Sequence, residues 1–417
     1  MRILLWHGYL LGGTGSNVYT RALARALSRA GHEVVVLCQE PHPERFDLGG
    51  ATVLRPALTG PLPVFVLDAY EDARPQLLTQ MSRADRDRFV EQNAAAVRAQ
   101  GPADLLITNH VLLGGPVGAA SGLPYLVKAH GSELEFAMRG DAELCAWGRD
   151  SLAGARAVLA GSEHVVRVLD ELVGPDPSTV AVVPPGVDVE HLRPQERAAA
   201  LAGLLAECAR DAPYRGDERA PDEGNEQRLR AFLAGDRRTV LYVGKLSEEK
   251  GVSLLLRALE GLDARAVVVG FGPERAALER AVPDGSDVLF TGPLEHRHLA
   301  HLWALADVSV TPSVFPEAFG MVAAEAASCG SAPLVARHSG LAEIAAGLEE
   351  EYPEHLRDLV SFERGDVADL HRTLARLLAL SPADAALVSA AARRAAERRW
   401  SWEGIASRVL ALAGAPG

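Results

Sequence analysis

The chain has little of what marks several large protein classes. Its four cysteines, Cys38, Cys145, Cys208 and Cys329, are scattered among 417 residues. No Cys-x-x-Cys pair occurs, so neither a zinc ribbon nor a disulfide framework is expected. No His-x-x-x-His spacing is present either. No stretch of 18 apolar residues is available for a transmembrane helix. The apolar start, Met1-Arg2-Ile3-Leu4-Leu5-Trp6, stops at His7 before glycine-rich residues and is too short for a signal peptide. A basic surplus is also missing. The formal net charge is −13 and the pI is near 5.5, which disfavours nucleic acid as a partner and weakens attraction to anionic membranes. There is no G-x-x-x-x-G-K-[ST] loop and no G-x-S-x-G elbow. These absences leave the expectation of a cytoplasmic protein with no metal, no nucleic acid and no membrane span.

Hydrophobic residues make up 48%, enough for sizeable cores, and the length suggests two domains. Arg2 to Trp6 is an apolar run, 7–16 a glycine-rich loop, 17–29 a helical pattern and 33–38 a second apolar run. This strand–loop–helix–strand opening implies a parallel sheet. Strand candidates at 105–108, 125–129, 157–160 and 180–183 alternate with helical stretches and complete one doubly wound domain. Pro184-Pro185-Gly186-Val187-Asp188 breaks the pattern and reads as a hinge. Residues 195–236 read as an exposed insertion, rich in charge with Pro and Gly at its centre. A second α/β series follows, with strands at 239–243, 266–269, 288–290, 308–311 and 332–335 and helices at 252–259 and 274–281; 381–413 is helical.

The segment Pro316-Glu317-Ala318-Phe319-Gly320-Met321-Val322-Ala323-Ala324-Glu325 is the most informative. Pro316 and Gly320 place Glu317 in a loop, and the Ala-rich run from Met321 reads as a helix. The first N–H groups of a helix have no partner inside it and form a ready anion site. Carboxylates before and inside that helix can accept from hydroxyls. A sugar nucleotide suits the set, with its diphosphate between ribose and hexose. Gly244-Lys245-Leu246-Ser247-Glu248-Glu249-Lys250-Gly251 follows a strand and offers two lysines to a diphosphate leaving group. Lys128-Ala129-His130-Gly131 ends a strand of the first domain, where His130 can hydrogen-bond a sugar or a reacting centre. The loop around Gly12 and Gly13 allows close backbone approach, but a dinucleotide fingerprint read from Gly13 and Gly15 reaches Val18 where a small residue is needed. Gly270-Phe271-Gly272 and Thr291-Gly292-Pro293-Leu294 could frame a base, or be ordinary turns. Asp85-Arg86-Asp87 has the D-x-D form but reads as a solvated helix face.

Taken together and in this order, the motifs resemble the retaining glycosyltransferases of family 4, over nearly the whole chain. The resemblance implies the GT-B fold: two Rossmann-like doubly wound domains facing each other across a cleft. Residues 1–186 would bind the acceptor, 187–398 would bind the nucleotide-sugar donor, and a C-terminal helix at about 399–417 would cross back to the first domain. It implies that Glu325 holds ribose hydroxyls and Glu317 donor-sugar hydroxyls. Phe319, Gly320, Met321, Val322 and Leu294 would line the donor, Lys245 and Lys250 would bind the diphosphate, with Gly13 approaching from the other domain, and His130 would sit beside the transferred sugar. Thr14 and Asn17 are acceptor candidates, with the arginine-bearing stretch 74–98; Asn17, at a helix start, reads equally as an ordinary N-cap. The implied reaction needs no cofactor and no metal, and moves a hexose (glucose, N-acetylglucosamine or mannose type) from an NDP-sugar, UDP-sugar preferred, to a hydroxyl of a small molecule or glycan. A homodimer is compatible. Two features depart from the family: Arg more often stands at Lys245, and 195–236 is long. Other readings are a UDP-sugar 2-epimerase of the same fold and a catalytically silent nucleotide-sugar binder.

Overall fold

The computed structural model describes residues 1–67, 74–212, 220–283 and 286–414. They fall into two units, Met1–Gly186 with Trp402–Gly417, and Val187–Ser401. In the first unit a seven-stranded sheet runs in the order Thr52–Leu54, Glu33–Leu37, Arg2–Trp6, Leu105–Asn109, Tyr125–Lys128, Ala157–Ala160, Val180–Val182. Every pairing is parallel. Such a sheet must be covered on both faces, and the first strand shows how: Ile3 and Leu5 join one apolar cluster, Leu4 and Trp6 the other. On the first face lie Tyr19, Leu23 and Leu27 of helix Gly15–Arg29 and Trp402, Ile405 and Val409 of helix Trp402–Leu412. Phe89 and Val97 of helix Arg83–Arg98 cover the second. A side chain at Gly186 would put a Cβ 2.5 Å from the Trp402 ring, so glycine there lets the indole seat.

The second unit holds a six-stranded parallel sheet in the order Asp287–Phe290, Arg265–Val269, Thr239–Val243, Val308–Thr311, Ala332–Ala336, Ser361–Phe362. In both sheets the first strand lies inside. The chain builds outward from it in one direction and then returns to its other side. Loops after Arg2–Trp6 and Leu105–Asn109 therefore diverge, as do those after Thr239–Val243 and Val308–Thr311. Crevices at such switch points are where doubly wound sheets bind ligands.

Two expectations need correction. Residues 195–236 do not form an exposed insertion. Helices Arg197–Cys208 and Asn225–Phe232 bury Ala200, Leu204, Leu205, Cys208 and Leu229 in the second core. Charged residues interleaved with these apolar positions hid them; residues 213–219, at the centre of the segment, lie outside the described residues. The helical run 381–413 is two helices, Pro382–Arg399 and Trp402–Leu412, one in each unit. The remaining elements fall within a few residues of their expected bounds.

Candidate active site

In the second unit the loop Pro312 to Gly320 is held by its neighbours. The Val314 and Phe315 N–H groups donate to the Glu249 carbonyl at 2.9 and 3.2 Å, tying it to the lysine loop. Gly251 (φ +66) makes this approach possible, because a Cβ there would lie 2.1 Å from the Pro312 carbonyl oxygen. Glu317 N–H donates to Ser339 Oγ at 2.9 Å, and Gly340 N–H to the Glu317 carbonyl at 2.9 Å. The Glu317 carboxylate receives Ser313 Oγ at 2.5 Å and the Lys250 ammonium, both on Oε1. Lys250 and Glu317 are thus an ion pair across the switch point of this sheet, while Lys245 is exposed at the mouth of the same loop.

Gly320 (φ +117) ends the loop and precedes helix Met321–Ser328, which no side chain caps. Glu325, one turn inside, is buried, and its Oε1 meets His296 Nε2 at 3.1 Å. Phe319 is buried against Trp400, whereas Leu294, Met321 and Val322 are partly exposed. Gly270 and Gly272 are glycine for packing: a Cβ at 270 would lie 1.8 Å from the Gly244 carbonyl oxygen. This edge therefore brings together two lysines, an uncapped helix start and two carboxylates. Charge of that kind neutralises an anion and leaves acceptor oxygens for hydroxyls.

The first unit has a different chemistry. His130 begins a helical turn whose Glu133 carboxylate, fully buried, accepts from His130 N–H at 2.7 Å. His130 Nε2 is 2.9 Å from Asn109 Oδ1. The His110 ring lies 4.5 Å from that of His130 and its Nδ1 is 3.0 Å from Glu133 Oε2. Burial holds His7 down to about 3, helped by His110 and opposed by the Asn17 hydrogen bond. Burial first, and then the neighbouring His110, Lys128 and His7, hold His130 well below its ordinary value. Burial also lowers Lys128 to about 7, although Glu133 opposes the shift. At neutral pH His7 and His130 are hydrogen-bonding groups without charge.

Gly13 (φ +91) has open space where a side chain would stand, and Thr14 is exposed. Asn17 departs from the acceptor expectation. The residue before the helix is Thr14, and Asn17 is buried inside it, accepting from His7 Nε2 at 2.8 Å and donating to the Gly12 carbonyl. Its amide is spent on holding the glycine loop. In the stretch 74–98, Arg86 is buried against Trp147 and paired with Glu143, and Asp85 accepts from Ser82 at a helix cap.

Ser313, His296, Ser339, His7, His110 and Glu133 were not singled out in the sequence. A signal for half of them existed, since His7, His110 and Ser313 all stand just beyond the carboxyl end of a strand. Another was composition: the chain has three lysines, Lys128 and Lys245 at or just beyond such strand ends and Lys250 in the loop that follows Thr239–Val243. Among the described residues, the two non-glycine positions with positive φ, His110 (70°) and Ser339 (46°), also lie at these edges.

Residues 13–191 match the family described as Glycosyltransferase Family 4, and residues 225–394 the family described as Glycosyl transferases group 1. The D-inositol 3-phosphate glycosyltransferase of Mycobacterium tuberculosis (strain ATCC 25618 / H37Rv) is 29% identical over 428 residues, 95% of this chain and 78% of that protein. Among solved structures, Anabaena HepE in complex with UDP and glucose superposes with a TM-score of 0.68 at 16% identity, over 99% of this chain and 98% of the other. Sucrose-phosphate synthase from Thermosynechococcus elongatus gives 0.65 at 22% identity, with 99% and 98% covered.

Proposed function

Because the chain is a glycosyltransferase of the family 4 type with the GT-B fold, we propose that it moves a hexose from an NDP-sugar, with UDP-sugar the preferred donor, to a hydroxyl of a small-molecule or glycan acceptor, with retention at the anomeric carbon. The observation that carries the reading is the pair Glu317 and Glu325 astride the uncapped start of Met321–Ser328, with Lys250 already on Glu317. The UDP-glucose complex of HepE supports the donor, and the name of the mycobacterial relative supports a small polyol acceptor.

Each residue then has a task. Lys245, Lys250 and the first N–H groups of the helix take the charge that grows on the departing diphosphate. Since Lys250 and Ser313 both use Oε1 of Glu317, its Oε2 accepts from a hydroxyl of the donor sugar. Glu325 accepts from the ribose hydroxyls, oriented by His296. Phe319, Gly320, Met321, Val322 and Leu294 line the donor. The acceptor proton leaves with the phosphate oxygen on the same face of the sugar. Two hydrogen bonds to a carboxylate at about 1.5 kcal/mol each make Glu325→Ala cost about 3 kcal/mol, roughly 150-fold in donor affinity. Acceptor-dependent NDP release tests this; an unchanged KM for every NDP-sugar in Glu325→Ala would sink the assignment.

A further inference from the structure

We propose that His7 and His110 form a hydroxyl-binding subsite that takes the neutral polyol part of the acceptor. The inference rests on reading the first unit as the acceptor-holding one. The two residues follow the two strands that flank its switch point, Arg2–Trp6 and Leu105–Asn109. Their rings are near parallel, 22° apart, with centroids 5.9 Å apart.

The hydrogen bonds around them fix which nitrogens carry protons. Asn17 donates its amide N–H to the Gly12 carbonyl, so its oxygen must accept from His7 Nε2–H. Nδ1 of His7 is left as a lone pair. Glu133 accepts from the N–H groups of His130 (2.7 Å) and Val111 (3.4 Å) through Oε1, and from His110 Nδ1–H through Oε2. In the neutral imidazole with Nδ1–H on Glu133, Nε2 of His110 is the acceptor nitrogen. Both nitrogens are buried and neither has a hydrogen-bond partner in the protein. Buried polar atoms are nearly always paired, so two orphans on neighbouring rings at one switch point call for a ligand.

The fold has gone out of its way to place them. His110 takes a left-handed backbone (φ 70) in a π-helical turn. That turn is so tight that a Cβ at Gly114 would lie 2.2 Å from the Asn109 carbonyl oxygen. Backbone strain of this sort collects at functional sites. Two lone pairs accept only from donors. A hydroxyl supplies one, whereas a phosphate or carboxylate brings acceptors of its own. Burial keeps His7 neutral, which removes the charge an anion would need. The rings of Tyr9 and Phe65, 5.3 and 5.0 Å from His110, offer apolar walls to the C–H face of a polyol.

Glu133 is the positioning residue, and Glu133→Gln tests the idea sharply. The glutamine oxygen still accepts from His130 and Val111, but its amide N–H faces His110 Nδ1. The imidazole must then carry its proton on Nε2 and present a donor to a donor. In full-length protein labelled with 15N-histidine, we expect wild-type His110 to be unprotonated at Nε2 and Glu133→Gln to reverse this. With UDP present, titration with myo-inositol, D-glucose or glycerol should shift the His110 Nε2 and His7 Nδ1 resonances of the wild type, and inorganic phosphate should not. With whichever polyol serves as acceptor, Glu133→Gln and His110→Asn should each raise its KM tenfold or more while leaving UDP-sugar affinity unchanged. The proposal is overturned if no polyol moves either resonance, which would mean a bound water only, if phosphate moves them instead, or if both variants keep the wild-type acceptor KM. Failure of the transferase reading looks different: no NDP-sugar is turned over, while the resonance titration still reports on the subsite.

Discussion

Lowering the pH from 7 to 5 should selectively loosen the first unit. Its sheet edge keeps His7 and His130 neutral in the folded state, whereas in the unfolded chain both take a proton near pH 6.5. Below that value the unfolded state binds protons that the folded state refuses, so stability is fully present above about pH 6.5 and is lost as the pH falls. For His7, held at about 3, the loss continues to about that pH. Between pH 7 and 5 it amounts to 1.36 kcal/mol for each tenfold excess of protonation in the unfolded state, or about 2 kcal/mol from His7 alone. His130 adds a loss of the same sign. Lys128 has its folded value lowered to about 7, so its burial penalty is relieved as the pH rises from about 7 towards its ordinary value. Stability of this unit should therefore climb from pH 5 to beyond pH 7. Hydrogen exchange of the Arg2–Trp6 amides, corrected for intrinsic rates, reads the opening free energy where it matters. The His7→Gln variant, which can keep the bond to Asn17, should lose about 2 kcal/mol of the difference between pH 7 and 5. A flat profile in the wild type, or an identical slope in the variant, would refute the reasoning.

Three further outcomes follow from the packing. Lys250→Met should free Glu317 and weaken NDP binding by about tenfold to a hundredfold, as expected for loss of a charge-assisted contact, measured by calorimetry with UDP. Gly270→Ala forces a Cβ against the Gly244 carbonyl in a left-handed backbone, so it should lower the stability of the second unit by about 2 kcal/mol or more and shift the lysine loop, measured by urea unfolding. Trp402→Ala removes an indole packed on Tyr19 and Gly186 and should cost the first unit about 3–5 kcal/mol, read by hydrogen exchange of helix Gly15–Arg29.

The order of strands and helices was legible because parallel strands buried on both faces are continuous apolar runs: Ile3, Leu4 and Leu5 are all buried although they point to alternating sides. Glu317, Glu325, Lys245 and Lys250 were legible because spacing and glycine punctuation survive in one dimension. The partners of these residues were not. Lys250 and Glu317 are 67 positions apart, and only the parallel pairing of Thr239–Val243 with Val308–Thr311 brings them together. Glu133 looked like one more acidic residue after a histidine; its burial beneath His110 and His130 depends on a turn that sequence pattern does not mark. Residues 195–236 were misread because their apolar positions are interleaved with charge, and tertiary packing on helix His296–Leu305 decides the outcome. Among the described residues no single helix is long and apolar enough to cross a membrane.

The central claim, an NDP-sugar held by the carboxyl edge of the second sheet, is tested most directly by ligand-induced stabilisation of the full-length protein. UDP-, GDP-, ADP- and dTDP-sugars should be compared on the wild type and on Glu325→Ala by thermal shift, because a ligand that binds only the folded state raises its melting temperature. The account predicts that at least one NDP-sugar, with UDP-sugar first in expectation, raises the wild-type Tm by several degrees and leaves Glu325→Ala nearly unmoved at the same concentration. Equal shifts in the two proteins, or no shift with any NDP-sugar, would contradict it.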